Sequence, residues 1–144
     1  MRNTTFRHGA AAITLAIAGL VLSGPVGCKA GRISQCNGLI TVINEEQGKH
    51  KDLKGESPEE LKKLADALEA TAKKIGEVEL EDEKLTAFRD EYKKMAEDLA
   101  KSAREAATAG DDREKLEKAI KTMQAIGPRE DKLVNDINAF CQGG

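Results

Sequence analysis

Apolar positions in this chain step by three and four residues over four stretches, the period that lines one face of an α-helix. The first stretch is Ile33, Cys36, Ile40, Ile43 and Gln47, widened by Leu39 and Val42, and it predicts a helix from about Ile33 to Lys51. Gly48 and Gly55 weaken its far end, so 47–56 is the expected flexible connection. The second begins at Ser57-Pro58-Glu59-Glu60, a capping hydroxyl before a proline in the first turn with Glu three residues on. Leu61, Leu64, Ala65, Leu68, Ala72 and Ile75 form its stripe, and Gly76 can end it. The third runs from about Asp82 to Ala109, with Leu85, Phe88, Tyr92, Met95, Leu99, Ser102 and Ala106 as a coiled-coil-like seam. Gly110-Asp111-Asp112 closes it and opens the fourth helix, whose face is Leu116, Ala119, Ile120, Met123 and Ile126. Beyond Gly127-Pro128 the apolar face resumes at Leu133, Val134, Ile137, Phe140 and Cys141.

Short connections favour antiparallel neighbours. The expected fold is therefore all-α, an antiparallel four-helix bundle whose last helix is kinked or split at Gly127-Pro128. Five acid-first pairs at i,i+4 fit helices and would serve nothing in a strand: Glu69–Lys73, Asp90–Lys94, Glu97–Lys101, Glu114–Lys118 and Glu117–Lys121.

Composition sharpens this reading. Aromatic residues are only 3% and Trp is absent, while Ala, Leu, Glu and Lys abound, which disfavours sheets. A formal charge of −2 with both signs interspersed argues against a nucleic-acid partner.

The N-terminus carries an address. Arg2, Arg7 and His8 precede Gly9–Leu22, fourteen residues without a charge. That is the length of a signal-peptide core and short of the ~20 residues a membrane span needs. Next comes Ser23-Gly24-Pro25-Val26-Gly27-Cys28, which resembles the lipobox of bacterial lipoproteins. In that family the Cys receives diacylglycerol and becomes the mature N-terminus. Val26 and Gly27 match the pattern, and Pro25 departs from the Leu usual at its place. The alternative is ordinary cleavage nearby, for instance after Ala30, and a soluble secreted product. The expected organisation is a signal peptide over 1–27, a short tether over 28–32 and a helical bundle domain over 33–144.

Cys28, Cys36 and Cys141 are all the cysteines, and an odd count in an exported chain asks for an explanation. Lipidation at Cys28 would leave Cys36 and Cys141 to form a disulfide in an oxidising compartment. Four antiparallel helices would bring these two to the same pole; three would leave them ~25–30 Å apart.

Other chemistry is sparse. Glu77, Glu79, Glu81, Asp82 and Glu83 crowd together without calcium-loop spacing. His50, between Lys49 and Lys51, reads as a solvated loop residue, and Phe88, Tyr92 and Met95 read as core. No metal-ligand spacing, haem-attachment motif or nucleotide-binding or hydrolase motif occurs, so neither an enzyme nor a cofactor is expected.

Two segments, 34–44 (SQCNGLITVIN) and 127–141 (GPREDKLVNDINAFC), together resemble the two ends of a group of uncharacterised Gram-negative lipoproteins. The resemblance implies a cell-envelope location and paired terminal cysteines, and brings no activity. Lys29, standing where well-studied lipoproteins carry a retention Asp, implies the outer membrane facing the periplasm. The expected function is a non-enzymatic, lipid-anchored envelope scaffold or interaction module that binds an envelope protein. The alternatives are a periplasmic carrier of a small apolar ligand, its room left by small residues such as Ala65, Ala72, Ala106 and Ala119, or a secreted helical homo-oligomer.

Overall fold

The computed structural model describes residues 29–53 and 55–143; the expected signal peptide and the lipidation site Cys28 lie outside them. Four helices account for the described residues: α1 (Lys29–His50), α2 (Pro58–Gly76), α3 (Glu83–Ala107) and α4 (Arg113–Gln142). Their starts follow local chemistry. The Ser57 hydroxyl accepts from the Glu60 amide at 3.2 Å, Asp82 accepts from Lys84 and Leu85, and Asp112 accepts from Lys115 at 3.0 Å. Ser57 and Asp112 each satisfy one orphan donor of a first turn, and Asp82 satisfies two. Gly110 adopts φ +54°, the left-handed conformation that lets the chain reverse between α3 and α4.

Two boundaries differ from expectation. α1 begins at Lys29, so the stretch 29–32 read as a tether is helical. α4 is one continuous helix with Pro128 inside it, so it is not split. Proline removes the hydrogen bond to the Gln124 carbonyl. Gln124, Gly127 and Pro128 are all exposed, so water can replace that bond.

α3 is the central element and packs against each of the other three, while α2 and α4 do not approach one another at the backbone. α1 fills the space between them, but only to His50. The result is a helical bundle with two unlike halves. Around the Cys36–Cys141 bond lie large side chains: Leu39, Ile75 and Leu85 are fully buried beside Phe88, Tyr92 and Leu133. Phe88 meets Phe140 edge-on at 5.9 Å, and the Arg32 guanidinium lies 5.2 Å above the Phe140 ring. In the other half Ala65, Leu68, Ala100 and Ala103 pack α2 closely on α3. The connection that leaves α1 begins with a turn, in which the Leu53 amide donates to the His50 carbonyl at 2.9 Å. Gly55, at φ +68°, lies so close to Leu61 that a β-carbon there would sit 3.1 Å from it.

The seam expected on α3 is buried throughout except Leu99, which is partly covered. Ile33 and Ile120, placed on apolar faces by their spacing, are instead 51% and 40% exposed. None of the five acid-first pairs closes. The base-first pairs Lys93–Glu97, Lys94–Asp98 and Lys132–Asp136 form, and Arg104 bridges to Asp66 and Glu69 of α2 at 2.7 and 2.8 Å. Glu69 is thereby taken by a neighbouring helix, and the Arg104 bonds hold its carboxyl below its usual pKa.

Candidate functional site

Cys36 and Cys141 are bonded, with their Cα atoms 5.9 Å apart. The sequence separation of 105 closes nearly the whole described chain into one loop. This pairs two of the three cysteines.

The polar groups that converge lie on the floor below, where α1 ends. Tyr92 donates its hydroxyl to Glu130 Oε1 at 2.6 Å, and Gln47 Nε2 donates to the Tyr92 oxygen at 2.9 Å and to Glu130 Oε1 at 2.6 Å. Three helices are thus tied by three polar side chains around a buried phenol. Burial first, then the Glu130 charge and its hydrogen bond, raise the Tyr92 pKa far above its usual value, so it stays a neutral donor. A turn away, Thr71 Oγ1 is 2.9 Å from His50 Nε2 and donates to Glu46 Oε2 at 3.4 Å; Lys49 also bonds Glu46. Thr71 and Glu46 are 2% and 5% exposed.

His50 is therefore not the solvated loop residue its lysine neighbours suggested. It is the last residue of α1, half-buried against α2. Burial lowers its pKa from 6.5, opposed by Glu46 and assisted by Lys49. Its Nδ1 is out of contact with water and has no hydrogen-bond partner. The order carboxylate–hydroxyl–imidazole differs from the hydroxyl–imidazole–carboxylate order that activates a nucleophile, and Thr71 is covered.

Two concavities flank these groups. A cleft of about 290 Å³ opens below His50, with Leu64, Leu68, Met95, Leu99 and Ile126 as its apolar wall. A groove of about 580 Å³ runs between α1 and α4. Ile40, Ile43, Val134 and Ile137 line it, together with the amides of Asn44, Asn135 and Asn138 and the carboxylates of Glu130 and Asp131.

Two carboxylates of the acidic run from Glu77 to Glu83 serve the turn they occupy. Asp82 caps α3, Glu77 pairs with Lys74 at 3.2 Å, and Gln35 of α1 accepts from the Glu81 and Asp82 amides at 2.7 and 3.1 Å. Among the described residues no group of three or more His, Cys, Asp or Glu could hold a metal, and no helix is long and apolar enough to cross a membrane.

Spacing along the chain does not single out Gln47, Glu46, Thr71 and Glu130 as a group. Gln47 gave the one usable sign, a polar residue on an otherwise apolar stripe. Fold and site together define a disulfide-closed bundle, all-helical among the described residues, with a polar cluster at the point where α1 ends. No family model, curated protein or solved structure matches the chain.

Proposed function

We propose that this chain is a non-enzymatic, lipid-anchored protein of the cell envelope whose helical bundle is a scaffold or interaction module. The Cys36–Cys141 bond carries the reading. It accounts for two cysteines and leaves Cys28, behind an uncharged export segment and a Val-Gly pair, to take the lipid. Removing residues 1–27 takes away Arg2 and Arg7 and moves the formal charge from −2 to −4, so attachment would come from acyl chains and not from attraction to anionic lipid. By the lipoprotein resemblance the site of residence is the outer membrane, facing the periplasm. An envelope protein would seat in the α1–α4 groove, where amides offer hydrogen bonds beside apolar side chains.

In this reading the helices run antiparallel, and the pairings Gln35–Glu81, Glu69–Arg104 and Tyr92–Glu130 support that order. α4 bends at Pro128, the one place where its ladder lacks a donor. The test is fractionation: Cys28→Ser should move the protein from the membrane to the soluble fraction. Retention in the membrane after that change contradicts the anchor.

A second reading, a carrier of a small apolar ligand, is favoured by the cleft below His50, which has an apolar wall and polar groups at one end only.

A further inference from the structure

α2, α3 and α4 continue beyond the level at which α1 stops, and the space the next turn of α1 would fill is a cleft of about 290 Å³. At ~30 Å³ for each water-sized group, it holds roughly nine or ten non-hydrogen atoms. Its wall is aliphatic on all three helices: Leu64 and Leu68 of α2, Met95 and Leu99 of α3, and Ile126 of α4.

Its polar end is short of donors. Glu130 Oε1 already takes Tyr92 and Gln47, and a carboxylate can only accept. Glu46 behind it can also only accept, and Thr71 donates to it at 3.4 Å; Thr71 Oγ1 lies 2.9 Å from His50 Nε2, which donates to it in the tautomer protonated at Nε2. A neutral imidazole bonded in that way has a bare acceptor at Nδ1, and that nitrogen is buried with no partner. The lowered pKa of His50 agrees with the neutral form. A ligand carboxylate would stand beside Glu130 with only Lys51, exposed on the rim, to offset it.

We propose that the cleft binds the end of an aliphatic chain carrying a hydrogen-bond-donating head, a hydroxyl or an ammonium, with the chain against Leu64, Leu68, Met95, Leu99 and Ile126 and the head toward Glu130. The inference rests on the carrier reading and adds to it the chemistry of the head.

The test uses the full chain as its cells make it, labelled at its methionine methyls. Met95 lines the cleft, whereas Met123 packs on the Ala65–Leu68 cluster outside the lining, so each molecule carries a comparison site. The probes are 1-hexanol, n-hexylamine and hexanoate, alike in length and water-soluble. Hexanol and hexylamine should move the Met95 methyl resonance and leave Met123 in place, with hexanoate weaker by about tenfold. Glu130→Gln should weaken hexylamine more than hexanol, because it removes charge and keeps an acceptor. Leu64→Trp, at a partly exposed lining position, should fill the cleft and abolish the Met95 response. Hexanoate acting as well as hexanol would overturn the head chemistry and leave the carrier reading standing. No response of Met95 to any probe, or a response that survives Leu64→Trp, would overturn both.

Discussion

The two halves of this bundle are built from different side chains and for different ends. Near the disulfide, four helices close around Leu39, Ile75, Leu85, Phe88 and Leu133, and a covalent bond fixes the chain ends. In the other half, α2 and α3 meet through a thin layer of Ala65, Leu68, Ala100 and Ala103. Alanines bring α2 and α3 close but bury little area per residue, at ~25 cal/mol per Å². The thick half holds the molecule together, and the thin half leaves a cleft. The polar cluster of Gln47, His50, Thr71, Tyr92 and Glu130 marks the boundary between them.

The largest expected effect breaks the thick half. Reducing the disulfide, or Cys36→Ala with Cys141→Ala, releases a loop of ~100 residues and should lower stability by about 4 kcal/mol, read from urea unfolding with and without reductant. A loss under about 1 kcal/mol would mean that the helices alone hold the ends together.

Next come paired truncations. Leu85→Ala, at 0% exposure in the thick half, should cost about 3–5 kcal/mol, and Leu68→Ala, beside the cleft, about 2. Equal costs in unfolding measurements would erase the distinction between halves. Tyr92→Phe at the boundary leaves Gln47 and Glu130 without their shared hydroxyl and should cost about 1–2 kcal/mol. Hydrogen exchange should locate that loss at the end of α1 and not at the Ala100–Ala103 packing. Ser57→Ala removes the cap that starts α2 in the thin half and should cost about 1 kcal/mol by the same unfolding assay.

The smallest effect is a slope. The folded pKa of His50 lies below 6.5, so the unfolded chain takes up its proton first as pH falls. Its contribution is therefore fully present above pH 6.5 and is lost as pH drops through the folded value. The urea midpoint of the protein should fall with acidification just below that pH, and His50→Gln should flatten this part of the profile. An unchanged profile in the variant would place His50 in open solvent.

Much of the architecture was legible because helix ends are local. Ser57-Pro58, Asp82 and Asp112 each announce a first turn through their own side chains, and the four stripes follow from period alone. The continuity of α4 was not legible, because a proline stops a helix only where the lost bond cannot be made good by water, and exposure is a tertiary fact. The α1 start escaped for a different reason: Lys29 to Arg32 carry no cap and no apolar stripe. The bond between Cys36 and Cys141 could be anticipated from a count of three. The boundary cluster could not. His50, Thr71 and Glu130 lie far apart in sequence, and nothing in the spacing says that α1 ends beside the middle of α2 and α4. Ion pairing was misjudged because any of several surface partners lies in reach of each lysine, and such pairs contribute only tenths of a kcal/mol to the choice, ~0.2–0.5 each.

The most direct test of the central claim, a lipid-anchored bundle closed by one disulfide, is the intact mass of the protein purified from its own membranes, before and after reduction. The account predicts a chain that starts at Cys28, carries acyl chains, and gains the mass of two hydrogens on reduction. A bare chain starting elsewhere would contradict the anchor, and a mass unchanged by reductant would contradict the bridge.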